Sequence, residues 1–207
     1  MITLEIVEKA RKHFKKTDPV LGAIVDQVEL PVWENKGNYF VDLVESIVSQ
    51  QLSVKAADTI WKRFITLFPD AKVDAGYVLD IPDQRIRDVG ISWQKISYIK
   101  DLAKKTNESG ILFEQFEMMN EEEIIAELIK VKGIGRWTAE MFLMFSMGKP
   151  DVFSYGDLGL RRAMQKLYKL RKEPSEKRAA QIAKTWKPYR TIACRYLWKS
   201  LELKIAE

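Results

Sequence analysis

The stretch Val131-Lys-Gly-Ile-Gly-Arg-Trp137 decides how this chain folds. Two glycines bracketing one aliphatic residue permit a very tight turn between two helices. Residues 120–130 before it carry a helical pattern whose opening, Asn120 followed by Glu123, resembles a capping box. Residues 136–147 after it are apolar almost all round, as expected of a helix buried in the centre of a fold. The predicted unit is a helix-hairpin-helix. Its second helix opens with backbone N–H groups available, which suits phosphate, and glycine lets a backbone approach such a ligand closely. Asp157, in Phe153-Ser-Tyr-Gly-Asp-Leu158, follows 22 residues after Gly135. A lone carboxylate at a fixed distance beyond a phosphate anchor is an arrangement for chemistry on DNA.

Outward from this motif the periodicity stays helical, with no convincing alternation of the kind strands show. Helices are predicted over 2–16, from Thr17-Asp-Pro19 onward, from Tyr39 to a break at 49–53, and from there to Phe68-Pro69. Further helices are predicted over 82–89, 92–109, 157–170, 175–186 and 188–204. Gly148-Lys-Pro150 stops the central helix, since glycine suits a C-cap and proline follows it. Residues 31–38 read as a polar connector. The fold class is therefore all-α. That connector and the region around Gly76 suggest one core of two helical lobes within 1–207, approximately 39–130 in one and 1–38 with 131–207 in the other.

Composition narrows the chemistry. The chain has 207 residues, 46% of them apolar and 30% charged, which describes an ordinary globular protein. The net charge of +5 comes from 34 basic and 29 acidic residues. It permits a nucleic-acid partner without proving one. The single cysteine, Cys194, excludes an internal disulfide and a four-cysteine zinc or iron–sulfur site. His13 is the only histidine, and no motif surrounds it, so a serine- or cysteine-based nucleophile system has no ready base. A buried or partly exposed His13 on the first helix is the expectation. No apolar run is long enough to span a membrane, and no signal-peptide pattern opens the chain, so a cytoplasmic protein is expected, or a nuclear one in a eukaryote.

A second motif, Ile47-Val-Ser-Gln-Gln-Leu-Ser53, interrupts an amphipathic stripe. With Val131–Ala139, Asp151–Leu158 and Trp186–Trp198, it gives four motifs in order across most of the chain, from Tyr39 to Leu201. In these motifs the chain resembles the helix-hairpin-helix/Gly-Pro-Asp superfamily of DNA glycosylases, and within it the 3-methyladenine DNA glycosylase II branch. It departs from the name-giving pattern at Gly156, where proline or valine often precedes the aspartate; the loop changes and the carboxylate stays. The β-rich domain that larger bacterial enzymes place ahead of this core is expected to be absent.

The resemblance implies a two-lobed glycosylase fold and assigns the catalytic carboxylate to Asp157. Asp157 also reads as an N-cap for the helix that follows; the roles are compatible. Relatives that cut the DNA strand carry a lysine at the position of Trp137. Tryptophan cannot form a Schiff base, so a monofunctional enzyme using water is expected. The base pocket is assigned to Trp137, Trp198 and Met141, with Tyr39 and Tyr189 at its rim. A flipping enzyme must fill the gap left in the stack; the matching wedge is Gln51, with Leu52 the alternative. The hairpin is expected to bind DNA phosphates through Lys132, Gly133, Gly135, Arg136 and Trp137. In the family its carbonyls, here those of Ile129, Val131 and Ile134, also hold a monovalent cation, Na+ or K+. No cofactor is expected for the chemistry. Arg161, Arg162, Lys187 and Arg190 suggest a second basic patch.

Three functions remain in view. The first is hydrolysis of the N-glycosidic bond of alkylated purines in double-stranded DNA by a monomer; 3-methyladenine and 7-methylguanine are the expected substrates, and hypoxanthine, 1-methyladenine and ethenoadenine are open. The second is a helix-hairpin-helix binding module without catalysis. The third is a bifunctional glycosylase and lyase, against which Trp137 and the single cysteine argue.

Overall fold

Short polar side chains decide where the helices start. The computed structural model describes residues 2–31, 37–108 and 110–203. Its α-helices are α1 Leu4–Thr17, α2 Pro19–Gly22, α3 Tyr39–Ser49, α4 Val54–Ile65, α5 Ala75–Asp80, α6 Asp83–Asp88, α7 Trp93–Asn107, α8 Glu121–Leu128, α9 Arg136–Phe145, α10 Leu158–Leu167, α11 Glu176–Ala183 and α12 Arg190–Ser200. Thr3, Asp18, Asn38, Ser53, Asp74, Ser92, Asn120, Asp157 and Ser175 each accept a first-turn N–H with a side-chain oxygen. The capping box at Asn120 and Glu123 is complete in both directions. No strand occurs among the described residues, and none of the helices is long and apolar enough to cross a membrane. Residues 32–36 of the predicted connector and the last residue, Ser109, of the predicted helix 92–109 lie outside the described residues.

The chain divides into two compact units, 1–35 with 143–207, and 36–142. The lobe boundary expected near residue 130 is thus corrected to a point inside α9. The hairpin belongs with the preceding helices because the Lys132 N–H donates to Asp101 on α7 at 2.9 Å and because Val131 and Ile134 are buried. The Gly76 region is no boundary either. It lies in α5, which begins where Asp74 Oδ1 accepts the N–H groups of Gly76 and Tyr77. In this unit α3, α5 and α6 pack on α7, burying Leu43, Ile47, Val78, Ile86, Ile96, Ile99 and Leu102.

The other unit packs α1, α2 and α12 together and α10 on α12, around Phe14, Leu21, Leu160, Trp186 and Tyr196. A buried carboxylate organises it. Asp18 Oδ1 accepts from the Val20 and Leu21 N–H groups, while Oδ2 accepts from the Tyr168 hydroxyl and from the Trp186 indole N–H at 2.8 Å. Burial first, and the Asp18 carboxylate second, push the Tyr168 phenol well above its ordinary pKa. Asp18→Ala leaves these buried donors without their acceptor, so it should cost about 3 kcal/mol and lower the Tm by roughly 6–12 °C, read by thermal denaturation. His13 is half-buried, and its Nε2 donates to the Thr185 carbonyl at 2.9 Å.

The helix α9 ends where Gly148, at φ +64°, turns the chain and Lys149 N–H donates back to Leu143 at 2.9 Å. This helix is not buried all round. Trp137 and Phe145 are 46% and 44% exposed and share one face with Met141 by their spacing, while Thr138, Ala139, Glu140, Phe142, Leu143 and Met144 are buried.

Candidate functional site

In the unit formed by 1–35 and 143–207, Asp157 caps α10, with Oδ1 accepting the Leu160 N–H at 2.7 Å. The same oxygen accepts the indole N–H of Trp198 at 2.9 Å. Trp198, expected from the sequence to line the pocket, here sets the direction of the carboxylate. Its ring lies 5.7 Å from that of Phe145, tilted by 32°. Gly159 makes the contact sterically feasible, since a Cβ there would sit 3.0 Å from Asp157 Oδ1 and 3.3 Å from Trp198 Nε1. Sequence reading put Phe145 only on one helical face with Trp137 and Met141, and it missed Gly159. The signal for the second was available, because a glycine inside a helix costs about 1 kcal/mol against alanine and so asks for a packing reason. Trp198→Phe keeps the ring and removes the donor. With the catalytic role expected of Asp157, the strength of a hydrogen bond to a charged group sets a slowing of about 10–100-fold, read as the single-turnover rate constant.

The loop leading to Asp157 is braced rather than left to solvent. The Asp157 N–H donates to Ser154 at 3.2 Å. Arg161 Nη1 donates to the carbonyls of Tyr155 and Gly156 at 3.0 and 3.1 Å, and its Nε pairs with Glu173 at 3.0 Å. Arg190 forms a fork on Asp151 at 2.8 and 3.0 Å, and Arg162 lies 3.9 Å from Glu173. The second basic patch is therefore about half neutralised, because Arg161 and Arg162 share Glu173 and Arg190 takes Asp151, two carboxylates against four cations. A Cβ at Gly156 would meet nothing within 4 Å, so departing from proline or valine there leaves the fold undisturbed.

The unit formed by 36–142 carries the hairpin. Gly133 sits at φ +79°, and a Cβ there would lie 2.0 Å from Tyr98 Cδ2. The fold demands this glycine twice. Gly135 differs, for a Cβ there meets open space. Its carbonyl accepts the Ala139 N–H at 3.0 Å, which places it just ahead of α9, and having no side chain it supplies none of the capping seen at most of the other helices. Arg136, expected at a DNA phosphate, is paired within the chain. Its guanidinium forks onto Glu122 and also pairs with Glu140 at 2.9 Å, holding the Glu122 carboxyl below the usual range. The Lys132 side chain is exposed.

Gln50, Gln51 and Leu52 join α3 to α4. Gln50 Nε2 donates to the Gly133 carbonyl at 3.0 Å, tying this turn to the hairpin. Gln51 is exposed and sits at φ +58°, in the left-handed region that side chains other than glycine seldom occupy; Leu52 is 38% exposed. Gln50, Gln51, Leu52, Lys95, Tyr98 and Trp137 line much of one groove of about 640 Å³.

The remaining candidates are placed as follows. Tyr39 donates its hydroxyl to Glu117 at 2.8 Å, and its ring packs edge-on to Phe113 and Phe142. Met141 is half-buried. Tyr189 packs edge-on against His13 and Phe14, at 5.6 and 6.5 Å, which accounts for it as a packing residue. No cluster of histidine, cysteine and carboxylate side chains fit for a metal exists among the described residues. The carbonyls of Ile129, Val131 and Ile134 are neutral oxygen donors of the hairpin, and the Val131 carbonyl accepts the Ile134 N–H at 3.1 Å.

Residues 44–188 match the family described as HhH-GPD superfamily base excision DNA repair protein. The chain is 35% identical over 167 residues to DNA-3-methyladenine glycosylase 1 of Schizosaccharomyces pombe, covering 79% of this chain and 73% of that protein. Its structure is similar to that of the S. pombe 3-methyladenine DNA glycosylase in complex with abasic DNA, with a TM-score of 0.85 and 32% identity over 95% of this chain and 98% of that one. It is similar as well to a DNA-3-methyladenine glycosidase from Bacillus halodurans, with a TM-score of 0.83 and 37% identity over 92% and 88% of the two chains.

Proposed function

This chain belongs to the HhH-GPD superfamily of base excision DNA repair proteins, and from that premise we propose that it is a monofunctional DNA glycosylase that removes alkylated purines from double-stranded DNA. The observation that carries the proposal is Asp157, whose carboxylate is fixed by the Leu160 N–H and by the Trp198 indole. Dissociation of an N-glycosidic bond builds positive charge on the sugar. A carboxylate already oriented stabilises that charge without reorganising, and it can align or deprotonate the attacking water.

The leaving group needs little help. A purine alkylated at a ring nitrogen carries positive charge and departs readily, and the same charge is attracted to aromatic faces such as those of Trp198 and Phe145. Trp137 supplies no amine for a Schiff base, so water is the nucleophile and the abasic strand is left uncut. The Gly135 end of α9 is suited to a backbone phosphate, because nothing within the chain requires glycine there. A monovalent cation on the carbonyls of Ile129, Val131 and Ile134 would offset phosphate charge beside it. Gln51 is the residue for the gap in the stack. The enzyme acts as a monomer, in the cytoplasm of a prokaryote or the nucleus of a eukaryote.

The test is chromatography of free bases released from methylated duplex DNA. Release of 3-methyladenine and 7-methylguanine, with no release from unmethylated DNA, is the expected result. Binding of the duplex without release of any base would instead favour a non-catalytic module.

A further inference from the structure

Lys95 and Lys100 both reach pairs of main-chain carbonyls, but Lys100 also pairs with Asp83. Lys95 projects from the first turn of α7 and is half-buried, and burial pulls its ammonium pKa down. Among the described residues no carboxylate offsets that burial. Its Nζ donates instead to two main-chain carbonyls, Val48 and Gln50, each at 2.7 Å. These oxygens lie at the C-terminal end of α3, where unpaired carbonyls and the helix dipole favour a cation. The next residue is Gln51, at φ +58°, a conformation that costs about 1–2 kcal/mol and persists only where its surroundings enforce it. The side chain of Gln50 then fastens the same turn to Gly133. One half-buried cation thus holds the residue before the exposed Gln51, and that residue is joined to the hairpin.

We propose that Lys95 is a positioning residue for base flipping: by clamping the Val48 and Gln50 carbonyls it holds Gln51 in the strained conformation from which its side chain enters the DNA stack. The inference rests on the glycosylase function and on Gln51 as the wedge. Lys95 touches neither the substrate nor the reacting atoms. Its effect appears only where a stack must be filled, which is in duplex DNA and not in a single strand.

The experiment measures single-turnover release of 7-methylguanine from a methylated duplex and from the same methylated strand alone. Wild type, Lys95→Met, Lys95→Arg, Gln51→Ala and the Lys95→Met/Gln51→Ala pair are compared. Lys95→Met should lower the ratio of duplex to single-strand rates about tenfold, Lys95→Arg should restore most of it, and Lys95→Met should change the ratio less than about twofold once Gln51 is already alanine. Equal losses on both substrates in Lys95→Met, or independent multiplying losses in the pair, overturn the inference while the glycosylase function stands. Absence of release by the wild type from either substrate overturns that function, and the inference with it.

Discussion

Replacing Asp157 by asparagine should lower the rate of base release about 10³-fold and leave duplex affinity within a few-fold of wild type. Asparagine is nearly isosteric and is itself a good N-cap. Its Oδ1 can accept from both Leu160 and Trp198, the two donors that hold Asp157 at 2.7 and 2.9 Å. The local fold therefore survives and the negative charge does not. Single-turnover kinetics beside a binding titration separates the two quantities. A fall in affinity matching the fall in rate would place Asp157 in binding rather than in chemistry. Asp157→Ala removes the cap as well, so it should add a stability loss of about 1 kcal/mol that the asparagine variant lacks.

The second large effect concerns the hairpin. Gly133→Ala forces a Cβ to within 2.0 Å of the Tyr98 ring at a residue with φ +79°. The backbone strain and the displaced ring together should cost about 3 kcal/mol or more, with a comparable loss of duplex affinity. Denaturant unfolding and a DNA titration report both. Gly135→Ala is the informative partner, because its Cβ meets nothing within 4 Å. Stability should stay near wild type, and the duplex should bind more weakly because the methyl group stands where a phosphate approaches the first turn of α9. Unchanged binding in Gly135→Ala would remove the phosphate from that position.

The helices were legible in the sequence wherever a periodic apolar face met a capping residue. Asn120 with Glu123, Pro19 after Asp18, and Asp157 before Leu158 all announce helix starts that the structure has. The helix α5 was not legible, since six residues are too few to show a period and Gly76 reads as a breaker. The unit boundary was hidden for a different reason. It falls within the continuous helix α9, where composition does not change.

The site was legible as single residues and not as a set of partners. Asp157, Trp198, Gly133 and Gln51 stand in motifs. That the Trp198 indole donates to Asp157 depends on a contact spanning 41 positions, and that Lys95 holds Gln50 on one spanning 45. The roles of the arginines fail to show for the same reason. Arg136 and Arg161 read as cations offered to phosphate, yet Glu122, Glu140 and Glu173 claim them, and charge counts along a sequence do not reveal such pairing.

The chemistry itself is tested most directly by product analysis on one duplex carrying a single alkylated purine, with wild-type protein and no added nuclease. The expected products are the free base and a full-length strand that breaks only after alkali, with no protein–DNA adduct trapped by borohydride. Strand cleavage without alkali, or a trapped covalent adduct, would contradict hydrolysis by water and require an amine nucleophile that Trp137 cannot supply.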